Sequence, residues 1–177
     1  MDSYGNRDPR KNGESADGLA IKEGSGTGNV VRGARLWNNV DDGFDDWKFT
    51  SPVLIENTIA YGNGFKLGGG SPAPAVAHTL RDSIAFKNAA HGVTDNGNTG
   101  ALALTRNSTW ANGGTGFDAD VSGGKAKLTA NPSVADAKAA LSTDPAPLTG
   151  ARGADGSLPS APSFLVPRSG AAVGARF

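Results

Sequence analysis

Four aspartates, Asp41, Asp42, Asp45 and Asp46, crowd into the eight residues DDGFDDWK at 41–48. Two carboxylates about 5 Å apart repel by roughly 3 kcal/mol at an effective dielectric near 20. Such a group is either a solvated acidic turn, or a cluster that keeps some of its protons or holds a cation. Hard oxygen donors with no His or Cys among them select Ca2+ rather than Zn2+. The D-x-D-x-D-G spacing of an EF-hand loop is not there. What the cluster can do depends on what the fold brings beside it.

The elements that must position these groups show themselves as a repeat. VRGARLWNN, IENTIAYGN, LRDSIAFKN and TRNSTWAN align on Trp37, Tyr61, Phe86 and Trp110, separated by 24, 25 and 24 residues. Asn39, Asn63, Asn88 and Asn112 each follow two residues later. A second set pairs glycine with an apolar residue: Gly18-Leu19, Gly43-Phe44, Gly64-Phe65, Gly92-Val93 and Gly116-Phe117. Short strands between Gly and Asn turns, repeated about every two dozen residues, predict an all-β parallel β-helix. Successive coils then stack at about 4.8 Å, so residues one period apart become neighbours. The aromatic set is expected to pack as a column and the asparagines to form a hydrogen-bonded ladder. The coils are placed at 15–130, after a lead-in at 1–14. Residues 131–177 read as a Pro/Ala/Gly-rich tail with one short helix or turn near 131–144, laid along the solenoid through Phe164, Leu165 and Val166.

Winding the chain at this period lines up the charges. The residues before each Gly-apolar pair are Asp17, Asp42, Asn63, His91 and Thr115; those after it are Ala20, Asp45, Lys66, Thr94 and Asp118. Asp17 is therefore expected beside Asp42, and Asp17, Asp41, Asp42 and Asp45 together offer up to eight oxygens. Lys66 falls one coil beyond Asp45. Two readings stand: a surface ion pair with Asp45, or an amine whose pKa is depressed by a nearby cation and by partial burial, and so able to act as a general base.

Composition narrows the field. The 177 residues carry 17 basic and 17 acidic side chains, which gives no surplus for nucleic acid or an anionic membrane. There is no cysteine, so disulfides and thiolate metal sites are excluded. No apolar run is long enough to span a bilayer. The N-terminal MDSYGNRDPRKNG is polar and does not read as a signal peptide.

ADGLAIKEGSGTGNVVRGARLWNNVDDGFDDW, followed by IENTIAYGNGFKLGGG, resembles the family 9 polysaccharide lyases, the Pel9A-like pectate lyases. The likeness continues more weakly through HTLRDSIAFKNAAHGVTDNGN and the ADGSLP and FLVP stretches. The resemblance implies a right-handed parallel β-helix, Ca2+ ligated by Asp17, Asp41, Asp42 and Asp45, and Lys66 as the base. It implies β-elimination on an acidic polysaccharide such as polygalacturonate, by a secreted monomer with neither nucleic-acid nor membrane partners. Lys22, Arg32, Arg35, Lys48 and His91 are candidates for binding further substrate carboxylates; each also reads as a solvated or turn residue. Family members carry several more coils before the ADG coil, so the chain is expected to be an N-terminally truncated fragment. They also carry a longer loop before GNGFKLGG, and GGGSPAPAVAHT (68–79) is expected to form a rim in its place. Two competing functions remain: a non-catalytic β-helix that binds polysaccharide or serves as a scaffold, and a lyase of another uronide such as rhamnogalacturonan or alginate.

Overall fold

The structure, a computed structural model, describes residues 1–120 and 126–177. Each coil contributes three short strands. The first holds β1 (Asp2–Tyr4), β2 (Leu19–Ala20) and β3 (Asn29–Arg32); the second β4 (Arg35–Trp37), β5 (Phe44–Asp45) and β6 (Val53–Glu56). The third holds β7 (Ile59–Tyr61), β8 (Phe65–Lys66) and β9 (Thr79–Arg81); the fourth β10 (Ile84–Phe86), β11 (Val93–Thr94) and β12 (Ala103–Thr105). The fifth holds β13 (Ser108–Trp110), β14 (Phe117–Asp118) and β15 (Lys127–Thr129), and β16 (Ser133–Val134) starts one more rung. First strands pair only with first strands, second with second and third with third, all in parallel, giving three sheets along one axis. This is the right-handed parallel β-helix expected from the repeat and the resemblance.

The inward residues alternate with outward ones, as the period of two demands. Val31, Ile55, Leu80 and Leu104 face one another down the third sheet, and Phe44, Phe65 and Val93 down the second. These seven side chains are at most 7% exposed. Burying each contributes about 1.5–3 kcal/mol, and no coil could do so without its neighbours.

The first sheet is buried on both faces. Its inner side carries Leu36, Ala60 and Ala85, while Ile59, Ile84 and Phe86 point outward and are covered by Leu148, Phe164 and Leu165. The tail thus lies along the solenoid through Phe164 and Leu165, with Val166 half-buried. Its helical pieces are a 3-10 turn at Ala137–Ala139 and one turn of helix, α1 (Ala146–Thr149). The first sheet runs from residue 2 to residue 134, overrunning the 15–130 span at both ends, because β1 pairs with β4 and β16 with β13.

The aromatic column forms in part: it gains Tyr4, while Trp110 meets Phe164 edge-on at 6.3 Å. Tyr4, Trp37, Tyr61 and Phe86 stack with centroid separations of 4.2, 5.7 and 5.0 Å, and Phe164 caps Phe86 edge-on at 5.4 Å. The asparagine ladder is interrupted. Asn88 donates from Nδ2 to Asn112 Oδ1 at 2.8 Å, and Asn39 Oδ1 accepts the Asn6 amide at 3.2 Å. Asn63 is out of line, because only residues 62–64 join Tyr61 to Phe65, where the second and fourth coils use 38–43 and 87–92.

Candidate functional site

The second sheet supplies the backbone of the site. Its register is Ala20, Asp45, Lys66, Thr94 and Asp118 in successive coils, the column read from the sequence. Close stacking at the entry to each strand keeps that register. A Cβ on Gly64 would lie 2.4 Å from Gly92 O and 2.5 Å from His91 O, and one on Gly43 2.4 Å from Asn63 O. A side chain at either position would push the coils apart.

Asp17, Asp41 and Asp42 converge, each offering an oxygen within 4.8 Å of the others. The Asp42 amide donates to Asp17 Oδ1 at 3.1 Å, which ties the two coils together at that point. Asp45, fully buried, adjoins this trio rather than joining it. Its Oδ1 accepts the Trp47 amide at 3.0 Å, and its Oδ2 lies 2.5 Å from Lys22 Nζ and 3.1 Å from Lys66 Nζ. Lys66 Nζ also sits 2.5 Å from Asp42 Oδ2, and Lys22 Nζ 2.6 Å from Asp17 Oδ2. Lys22, Lys66, Asp41 and Asp45 border an open groove of about 450 Å3, with Lys11 and Trp47 on its walls.

The electrostatics of the cluster all lean one way. Four carboxylates face two ammonium groups, a surplus of two negative charges. Burial, with Asp45 and Asp41 nearby, outweighs the Lys66 ammonium and pushes Asp42 up to about 6. Burial also raises Asp41. For Lys66, burial disfavours the charge, but the hydrogen bond and charge of Asp42, and then Asp45, prevail and hold the amine well above the ordinary lysine range. Lys22 is raised in the same way by Asp17 and Asp45. In this arrangement the acids act on the amine directly, as in the ion-pair reading of Lys66. A cluster that favours added protons favours a divalent cation for the same reason. Three converging hard oxygens and no nitrogen or sulfur donor suit Ca2+.

Asp46 has a different fate, which the sequence did not reveal. One residue past the register of the second sheet, it turns inward in line with Ile21 and Leu67 and is fully buried. Burial, reinforced by Asp45, pushes its carboxyl up to about 8. Its Oδ2 is 3.2 Å from Nδ1 of buried His78, and that same nitrogen accepts the Val53 amide at 3.2 Å. Burial lowers His78 to about 4, so the ring is neutral near pH 7. A protonated Asp46 can share the Nδ1 lone pair; an ionised one would face it as a second acceptor.

The remaining candidates scatter. Arg32 lies on the third sheet, exposed, and stacks with Arg81 about Glu56, at 2.5 Å from Glu56 Oε1. Arg35 is buried behind the first sheet and binds Asp2 Oδ2 at 2.7 Å and the carbonyls of Leu148 and Gly150 at 2.8 and 2.7 Å. That places it as a clamp on the tail, not as a substrate ligand. Lys48 is exposed, its Nζ 4.1 Å from the Trp47 ring centroid. His91 Nδ1 accepts the Thr115 amide at 3.2 Å, which puts its proton on Nε2, 3.6 Å from Asp118 Oδ2. His91 and Asn63 flank a hollow of about 90 Å3 beside Asp42, opened by the short 62–64 turn. Within 68–79, Gly69 packs against Trp47 and Gly70 against Lys48, and Val76 is pinned by Asn98 at 3.0 Å.

Comparison with known proteins agrees with this architecture. Pectate lyase PEL9 of Emericella nidulans is 41% identical over 234 aligned positions, covering 99% of this chain and 56% of that one. Pectate disaccharide-lyase of Dickeya chrysanthemi is 45% identical over 115 residues, 60% of this chain and 15% of that one. The chain thus spans little more than half the length of the first of these relatives and far less of the second. The crystal structure of pectate lyase Pel9A superposes with a TM-score of 0.81 at 30% identity, over 97% of this chain and 52% of that one. A rhamnogalacturonan lyase shares the fold, with a TM-score of 0.73 at 24% identity. The family described as Pel9A-like, right handed beta helix region matches residues 1–131, and the chain belongs to that family.

Proposed function

We propose that the groove is the catalytic site of a calcium-dependent polysaccharide lyase that cleaves pectate-type polyuronides by β-elimination, with Lys66 as the base. The observation that carries this reading is the meeting of Lys66 with the carboxylate cluster, its Nζ 2.5 Å from Asp42 Oδ2. Pectate lyase relatives and the Pel9A structure support the substrate class. A secreted setting follows from such a substrate, since a polymer cannot enter a cell to meet the groove.

In the reaction, the C5–H bond of a uronate is broken and Lys66, as the free amine, takes the proton. The electron pair becomes the C4–C5 double bond. The C4–O glycosidic bond breaks, and its oxygen leaves to be protonated from solvent. Asp17, Asp41 and Asp42, with Asp45 alongside, would hold a Ca2+, which would supply positive charge toward the substrate carboxylate. Asp42 and Asp45 orient the lysine. Once their charge is engaged elsewhere, its amine form becomes accessible near neutral pH.

The test is absorbance of the unsaturated product from polygalacturonate with added Ca2+. Activity should vanish with a chelator and return with Ca2+. Lys66→Ala should lower turnover by about 10^2- to 10^4-fold, the ordinary contribution of a general base. Undiminished turnover in Lys66→Ala would remove the mechanism. Polygalacturonate binding without cleavage by the unaltered protein would instead favour a carbohydrate-binding module.

A further inference from the structure

We propose that Lys22 is a displaceable internal counter-ion of the carboxylate cluster: its ammonium bridges Asp17 and Asp45, and lets go of Asp17 when a divalent cation takes that oxygen. The proposal rests on the cation reading above and assigns a task to a residue outside the trio and distinct from the base.

The geometry favours an exchange. Asp17 Oδ1 accepts the Asp42 amide at 3.1 Å, and Asp17 Oδ2 holds Lys22 Nζ at 2.6 Å. Both oxygens of Asp17 are therefore engaged, and an ammonium at 2.6 Å opposes a second positive charge at the oxygen that it holds. Asp45 does not need Lys22 in the same way, because its Oδ2 is shared with Lys66 at 3.1 Å. Lys22 can move: its side chain is 26% exposed, against 5% for Asp17, and it borders the groove on a flexible four-carbon stem.

Its surroundings set the form in which it moves. Released from Asp17, Lys22 keeps Asp45 as an anionic partner and faces the open groove. Lys22 therefore swings away as an ammonium and does not have to lose a proton. It then stands in the groove as an ammonium no longer held by Asp17, where a uronate carboxylate can meet it. Cation and polyuronide binding are thereby coupled through one side chain, each favouring the other.

Calcium binding to the metal-stripped full chain, followed by titration calorimetry, tests this in Lys22→Met and Lys22→Arg. Lys22→Met should bind Ca2+ more tightly than the unaltered protein, by about tenfold, because the competing ammonium is gone. Lys22→Arg, which keeps the charge, should stay close to the unaltered protein. At saturating Ca2+, trigalacturonate should bind Lys22→Met more weakly. Should Lys22→Met fail to fold, the unaltered protein decides: exchange of the Lys22 ammonium protons, slowed by Asp17 and Asp45, should speed up as Ca2+ is added. Calcium affinity equal or weaker in Lys22→Met, or ammonium exchange indifferent to Ca2+, overturns the proposal and leaves the lyase reading standing. Absence of calcium binding in the unaltered protein and both variants would sink the cation reading with it.

Discussion

Replacing Asp46 with Asn should make the protein more stable at alkaline pH, and the size of the gain can be worked out. Asp46 is buried beside His78, with a carboxyl raised from 3.8 to about 8. Between those pH values the folded chain holds a proton that the unfolded chain has released, so stability falls as pH rises. The Asp46 contribution is intact below about pH 4 and lost by pH 8, at a slope of about 1.4 kcal/mol per pH unit. Over the full span the loss is on the order of 5 kcal/mol. His78 works in the opposite direction: its folded value of about 4, against 6.5, gives stability that is present above pH 6.5 and lost as pH falls toward 4. That part is common to both proteins and cancels in the difference. Asn at 46 keeps the shape, cannot ionise, and can donate from Nδ2 to His78 Nδ1. Urea denaturation in chelator at pH 5, 6, 7 and 8 should show the two proteins diverging, by about 3 kcal/mol between pH 5 and 7. Parallel stabilities across that range would refute the assignment of a buried, protonated Asp46.

Two further perturbations address the scaffold. Gly64→Ala sets a methyl against the backbone carbonyls of His91 and Gly92 at 2.5 and 2.4 Å, so it should destabilise the fold by about 1–3 kcal/mol or more and disturb Lys66 two residues on; an unchanged urea midpoint would contradict the close stacking. Phe164→Ala removes the edge-on contacts to Phe86 and Trp110 at 5.4 and 6.3 Å. It should cost about 3–5 kcal/mol and open residues 131–177 to limited proteolysis; a tail as resistant as before would show that other contacts hold it.

The second sheet was legible because its strands are only two residues long and each is preceded by a glycine the stacking requires. Aligning those glycines fixed the column that runs from Ala20 through Asp45 and Lys66 to Asp118. The third sheet followed from its aliphatic alternation. The misreadings occur where length or distance breaks the period. Asn63 left the ladder because its turn is three residues shorter than those of the second and fourth coils. Tyr4 joined the aromatic column from a polar stretch with no repeat to mark it. Arg35 looked like a surface cation, yet its carbonyl partners lie more than a hundred residues away, a pairing no local pattern encodes. Asp46 continues the alternation of its strand into the interior, where a carboxylate is not expected, and Lys22 sits two residues past the end of β2.

The register of the second sheet has a consequence for how such a groove can change. Location along it comes only in whole rungs of about 4.8 Å. Turns can shrink, as at 62–64, without shifting any rung sideways. Removal of the complete third coil would instead set Asp45 against Thr94 and discard the lysine in one step. New specificity in this molecule is therefore most readily gained by exchanging residue types at fixed addresses, while the backbone that carries them stays as it is.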